Sequence, residues 1–246
     1  MSGARMRRGA RRAAWALEDA LLEAEGRLGV LGPVHRRWRG NSPADNRASW
    51  DHWDWSRLGE EWSASEEWKQ GLIDDVLLRL VPVGGVVLEI GPGGGRWTRV
   101  IAPRGQRTIV ADVSPVVLDL VAREVPGVEV VRSPGAALPG VADASVDAVW
   151  SFDVFVHVAP VDQAAYLREV ARVLRPGGVA AIHHADGRNH GAMPSRAGWR
   201  APMSERLFAA LARRAGLRPV EVVRSWSAGR HDLGAFGDAI TVLRAG

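Results

Sequence analysis

The sequence predicts an α/β fold built on a mainly parallel sheet with helices on both faces. Three observations carry this. Between residues 86 and 243, short apolar runs rich in Val and Ile alternate with amphipathic helical segments. The runs do not alternate polar with apolar, so both faces of each strand are expected to be covered. The last two runs, 219–226 and 238–243, are joined by a loop without a helical pattern, which predicts an antiparallel pair at the sheet end. Residues 66–246 are read as one domain, preceded by a tail and a Trp-rich helical cap over residues 1–65.

The elements follow in order. Residues 1–12 carry Arg5, Arg7, Arg8, Arg11 and Arg12 and are expected to be a frayed tail. Residues 13–28 space Trp15, Leu17, Leu21, Leu22 and Leu28 near a helical period. Residues 29–47, with Gly, Pro, Asn and Ser, read as a loop. The stretch from Trp50 to Trp68 has no clear period until Ser65, a suitable cap for a helix from Glu66 to Leu80 that Pro82 stops. Strands are expected at 86–90, 108–111, 128–131, 146–151 and 179–183. Helices are expected at 95–102, 115–124, 161–174 and 202–215, with Pro115 suited to a first turn.

Composition removes several classes. With no Cys there is no disulfide scaffold, thiolate metal site or Cys nucleophile. No run approaches the ~18 apolar residues of a membrane span. Glu18, Asp19, Glu23 and Glu25 break the N-terminal apolar segment, unlike a signal peptide, so a cytoplasmic protein is expected. Of 32 basic residues only Lys69 is lysine, a bias that a GC-rich coding genome explains, and a net charge of +4 does not call for nucleic acid. The 11 Trp are the other oddity: seven fall at positions 15, 38, 50, 53, 55, 62 and 68.

The strongest chemical signal is Val87-Leu88-Glu89-Ile90-Gly91-Pro92-Gly93-Gly94-Gly95-Arg96-Trp97. A buried strand runs into glycines and then into a helix. Glycine allows positive φ and lets a ligand touch the backbone. Asp112 stands at the end of the next strand, where an acid can accept both ribose hydroxyls of a nucleoside. A dinucleotide fingerprint needs a small residue at the sixth position of the loop, and that position is Arg96.

Four stretches then resemble the class I S-adenosylmethionine-dependent methyltransferases: LEIGPGGGRW, VADVS, Ala137-Leu138-Pro139 with DASVDAVWSFDVFVHV, and REVARVLRPGGVAAIHH. The resemblance covers residues 86–185 and implies a doubly wound, seven-stranded, Rossmann-like fold with an antiparallel seventh strand. It implies S-adenosylmethionine as cofactor, held by Glu89, Gly91, Pro92, Gly93 and Gly95, by Asp112 and Val113, by Gly135 and Ala136, and by Ser151 and Asp153. Many relatives place an Asp against adenine N6 before the Leu-Pro. Here Pro134 stands there, so adenine recognition is expected to lean on backbone near Gly135 and Ala136 or on another side chain.

Methyl transfer from a sulfonium is an in-line displacement, and a hydroxyl acceptor must lose a proton. The acceptor is expected beyond strands four and five. His157 is the first candidate base, with His183 and His184 at strand five as the others; these two alternate along a strand and face opposite ways. Asn189 and His190 lie behind them. Asp153, His157, His184 and Asp186 are too mixed and loosely spaced for a metal site to be expected. Trp55, Trp62 and Phe152 are the expected substrate contacts, with the run from Trp50 to Trp68 as the lid. The reading is a small-molecule O-methyltransferase, acting on a glycoside or other secondary metabolite. A methyltransferase of RNA or protein and a catalytically silent cofactor-binding protein are the alternatives.

Overall fold

A computed structural model describes residues 2–38, 40–186, 200–233 and 237–246. Helix α1 (Ser2–Leu28) is followed by α2 (Pro33–Arg37), α3 (Pro43–Asp51) and two single 3-10 turns, Trp55–Arg57 and Glu60–Trp62. Next, α4 (Glu66–Leu72) runs through a π turn (Ile73–Leu77) into α5 (Leu78–Leu80). The core then alternates β1 (Val86–Ile90), α6 (Thr98–Ile101), β2 (Arg107–Asp112), α7 (Pro115–Glu124), β3 (Glu129–Arg132), β4 (Val146–Ser151), α8 (Pro160–Val173) and β5 (Leu174–Ala185). The chain closes with α9 (Glu205–Arg214), β6 (Leu217–Val223), a small hairpin of β7 (Ser225–Trp226) and β8 (His231–Asp232), and β9 (Asp238–Ala245).

The seven-stranded sheet has the order β3-β2-β1-β4-β5-β9-β6. The first five pair in parallel, and β9 is antiparallel to both neighbours. This is the doubly wound, seven-stranded fold the sequence predicts. Edge strand β6 carries Pro219 and a register shift there, as an edge can tolerate a missing donor. Strand alternation divides the core: Leu88, Ile90 and Val149 face one helical layer with α8 and α9, while Val87, Trp150 and Ala181 face the other with α4.

The N-terminal region departs from expectation. The Arg-rich start continues α1 as helix and is not a frayed tail. Residues 29–47 are not one loop, because Pro33 and Pro43 each sit in a first helical turn, where a missing N–H costs nothing. Ser42 and Asp45 form a reciprocal capping box that starts α3. The helix expected at 95–102 shrinks to α6, because the glycine loop extends to Gly95 in left-handed backbone. The loop expected at 227–237 contains the turn of the β7–β8 hairpin and strand β8.

Candidate active site

The site is built at the carboxyl ends of β1, β2 and β4 and roofed by the segment between α2 and α4. Gly91, Gly93 and Gly95 take φ of 72°, 55° and 87°, which side chains rarely adopt. The loop is covered from above. A Cβ on Gly93 would lie 3.1 Å from the Trp55 ring, and one on Gly94 would overlap the Leu58 backbone. Trp50, Trp53, Trp55 and Trp62 pack on one another, with ring centroids 5.2 to 6.1 Å apart. The Trp55 indole donates to the Trp50 carbonyl at 3.0 Å and Trp53 donates to Glu61 at 3.0 Å. Lys69 and Arg99 both hold Glu60 (2.8 and 3.1 Å), which ties the roof to the core.

Beneath the loop, Glu89 is fully buried. It accepts a hydrogen bond from Thr98 Oγ1 at 2.6 Å, while its Oε1 has no partner. Burial, with the nearby Asp112 charge, pushes its carboxyl up to about 7. At the end of β2, burial and the neighbouring Asp51 carboxylate raise Asp112 to about 7 against the backbone N–H groups of Ser114 and Val113.

Arg96 and Asp153 form the other wall. Arg96 Nη2 donates to Asp153 Oδ2 at 2.6 Å, and its guanidinium lies 4.6 Å from the Trp97 ring centroid and 5.7 Å from that of Phe152. The Asp153 backbone N–H donates to His183 Nδ1 at 3.1 Å, and His183 Nε2 lies 3.4 Å from Asp238 Oδ2. Arg200 donates to Asp238 Oδ1 at 2.7 Å. A row of polar groups, Arg96, Asp153, His183, Asp238 and Arg200, thus runs from the pocket wall into the sheet. Burial opposes ionisation of Asp153, but hydrogen bonding to His183 and the Arg96 charge hold its carboxyl well below the usual carboxylate range. Burial likewise opposes the His183 cation, yet Asp153 and Asp238 raise that imidazole.

The cleft holds a cavity of about 90 Å³. Of the expected cofactor residues, Gly91, Pro92, Gly93, Asp112, Val113, Gly135 and Asp153 line it; Glu89, Gly95, Ala136 and Ser151 lie behind its surface. Trp55, Trp62, Phe152 and His157 also line it. His157 ends a 3-10 turn (Phe155–His157), its ring meets Trp50 edge-on at 5.5 Å, and its carbonyl accepts from Asn46 Nδ2 at 2.7 Å.

His183 and His184 are both buried and neither lines the cavity. They face opposite layers as strand alternation requires: His183 stacks on Phe152 at 4.4 Å, His184 on Phe208 at 3.9 Å. His184 Nε2 is 2.7 Å from Thr241 Oγ1, and burial lowers its imidazole to about 4. Asp186 is held by Arg224 and by the backbone N–H of Glu205, away from Asp153. Asn189 and His190 lie outside the described residues.

Sequence reasoning missed Arg96, Asn46, Tyr166 and Asp162, all of which line the cavity. A charged residue inside a glycine loop was the available signal for Arg96.

Residues 88–182 match the methyltransferase domain family model. A probable S-adenosylmethionine-dependent methyltransferase of Mycobacterium tuberculosis is 40% identical over 96 residues, which are 39% of this chain and 34% of that protein. The chain therefore aligns with about a third of that relative's length. Among solved structures, the putative methyltransferase in complex with the Haloferax volcanii Trm112 activator superposes with TM-score 0.64 at 23% identity, over 81% of this chain and 97% of that one. The Burkholderia thailandensis 1,6-didemethyltoxoflavin-N1-methyltransferase, solved with 1,6-didemethyltoxoflavin and S-adenosylhomocysteine, gives TM-score 0.58 at 23% identity over 82% and 86%.

Over residues 88–182 the chain is similar to S-adenosylmethionine-dependent methyltransferases, and it shares the fold of their solved structures. Its residues fit that cofactor. The glycine loop is a cradle that any Cβ would fill, and Glu89 keeps an unpartnered buried oxygen beneath it. Asp112 stands at the mouth of β2.

Proposed function

We propose that the protein is an S-adenosylmethionine-dependent methyltransferase that O-methylates a small molecule, with residues 66–246 as the catalytic domain and residues 1–65 as its cap. One observation carries this reading: a left-handed glycine loop and the β2 acid share one cleft with His157 and a roof of packed tryptophans. Bound there, S-adenosylmethionine supplies a methyl group activated on a sulfonium. Gly91, Pro92 and Gly93 give a backbone surface without side chains for its methionyl arm, and Asp112 accepts from its ribose.

Trp50, Trp55 and Trp62 form the acceptor wall and exclude water, their rings offering flat apolar area. His157, on the same wall, takes the proton of the acceptor hydroxyl. His183 keeps Asp153 in place through its ring nitrogen and does not reach the acceptor. The acceptor of this reading is a glycoside or another secondary metabolite, received against the tryptophan wall. Action in the cytoplasm is part of this reading.

Calorimetry with S-adenosylhomocysteine tests the premise. Binding with a rise in Tm is expected. No heat and no thermal shift at millimolar ligand would remove the cofactor role and the activity with it.

A further inference from the structure

The loop after β3 reads Ser133-Pro134-Gly135-Ala136-Ala137 and turns its polar groups inward. Ser133 Oγ donates to the carbonyls of Gly135 and Ala137 (2.9 and 2.8 Å), accepts from the Gly135 N–H at 3.1 Å, and lies 3.1 Å from the Tyr166 hydroxyl. Pro134 has no polar side-chain atom. This loop therefore offers no carboxylate to a base lying over Gly135.

A carboxylate reaches the same cleft from another element. Asp162 sits in the first turn of α8, one helical turn before Tyr166 and on the same face. Asp162, Tyr166, Gly135, Val113 and Asp112 line one cavity together. Tyr166 feels the charge of both Asp112 and Asp162, so both acids lie near its hydroxyl. Among the described residues, no hydrogen bond or ion pair engages the Asp162 carboxylate, and burial raises it. The other cleft acids are engaged: Asp153 by Arg96, and Asp112 by the backbone N–H of Ser114. A half-buried acid without a partner is costly to keep unless a ligand donor completes it.

We propose that Asp162 reads the exocyclic amine of the cofactor's adenine, a role moved from the β3 loop to the first turn of α8. The inference rests on the cofactor reading above. It makes the base specificity of the site depend on one acceptor: an amino group donates to the carboxylate, whereas a keto oxygen there meets it lone pair to lone pair.

The test is calorimetry of the full chain with S-adenosylhomocysteine and S-inosylhomocysteine, which differ at this group. Wild type is expected to prefer the adenine compound by about 10- to 100-fold, the range for a hydrogen bond to a charged group. Asp162→Asn presents an amide that can donate to the keto oxygen, so it should bring the two affinities within about threefold. Asp162→Ala should weaken the adenine compound by about the same 10- to 100-fold and bind the inosine compound at least as tightly as wild type does. Unchanged Tm in both variants keeps the comparison free of misfolding. Wild type that binds both equally, or Asp162→Asn that keeps the full preference, overturns this role alone. Failure of wild type to bind either compound overturns the cofactor reading and this role with it.

Discussion

The hydroxyl of Ser114 donates to the Asp51 carboxylate at 2.6 Å. This bond joins the last residue of α3 to the turn directly after Asp112, so the cap is latched at the edge of the proposed ribose site. The same contact brings a second negative charge near Asp112, which adds to the burial that raises that carboxyl to about 7. Loss of the Asp51 charge from this position favours ionisation of Asp112.

Asp51→Ala should release the latch. Stopped-flow tryptophan fluorescence is expected to show S-adenosylhomocysteine binding and leaving faster, each by about tenfold for a lost hydrogen bond to a charged group. Gly94→Ala should act in the same direction from the other side, since its Cβ would overlap the Leu58 backbone and push the roof away. Rates unchanged in both variants would place the gate elsewhere.

Stability should depend on pH through Glu89. Burial raises its folded carboxyl from 4.5 to about 7. The contribution of the neutral acid is present below about pH 4.5 and is lost as pH rises through about 7, because ionisation then favours the unfolded chain. Glu89→Gln, which can keep the Thr98 hydrogen bond, removes this dependence. Denaturant unfolding without ligand is expected to give matched stabilities at pH 4 and a variant more stable by up to about 3 kcal/mol at pH 8. A gap independent of pH would mean that Glu89 ionises freely in the fold.

The three histidines near the site should separate by readout. His157→Ala is expected to lower kcat by about 10²- to 10⁴-fold while leaving Tm and S-adenosylhomocysteine affinity near wild type. His184→Ala should instead lower stability by about 2–4 kcal/mol, through the cavity against Phe208 and the unpaired Thr241 hydroxyl. His183→Ala should weaken cofactor binding, since Asp153 loses the ring nitrogen that its backbone N–H engages. Normal turnover in His157→Ala would move the proton elsewhere.

Much of the sheet was legible because its signals are local. The runs at β1 and β4 and the helix α7 coincide with the predicted segments, since buried parallel strands read as unbroken Val and Ile and Pro115 marks a helix start. Helices α2 and α3 were hidden by the same residues that start them. Pro33, Ser42 and Pro43 are loop formers by composition and helix initiators by position, and only the Ser42–Asp45 capping box distinguishes the two. The roles of His183 and His184 turned on depth. Alternation placed them on opposite faces, but whether a face meets the pocket or packed side chains depends on Phe152 and Phe208, which arrive from β4 and α9.

Local order along the chain determined the topology class, the glycine loop and the acid after β2, because strand periodicity, left-handed turns and helix caps act within a few residues. Tertiary packing decided what surrounds them. It closed the tryptophan roof on Gly93 and Gly94, paired Arg96 with Asp153 and set Asp162 at the cleft wall. These contacts join residues tens of positions apart. Their geometry follows from how α3, α8 and the sheet pack together, which no single segment encodes.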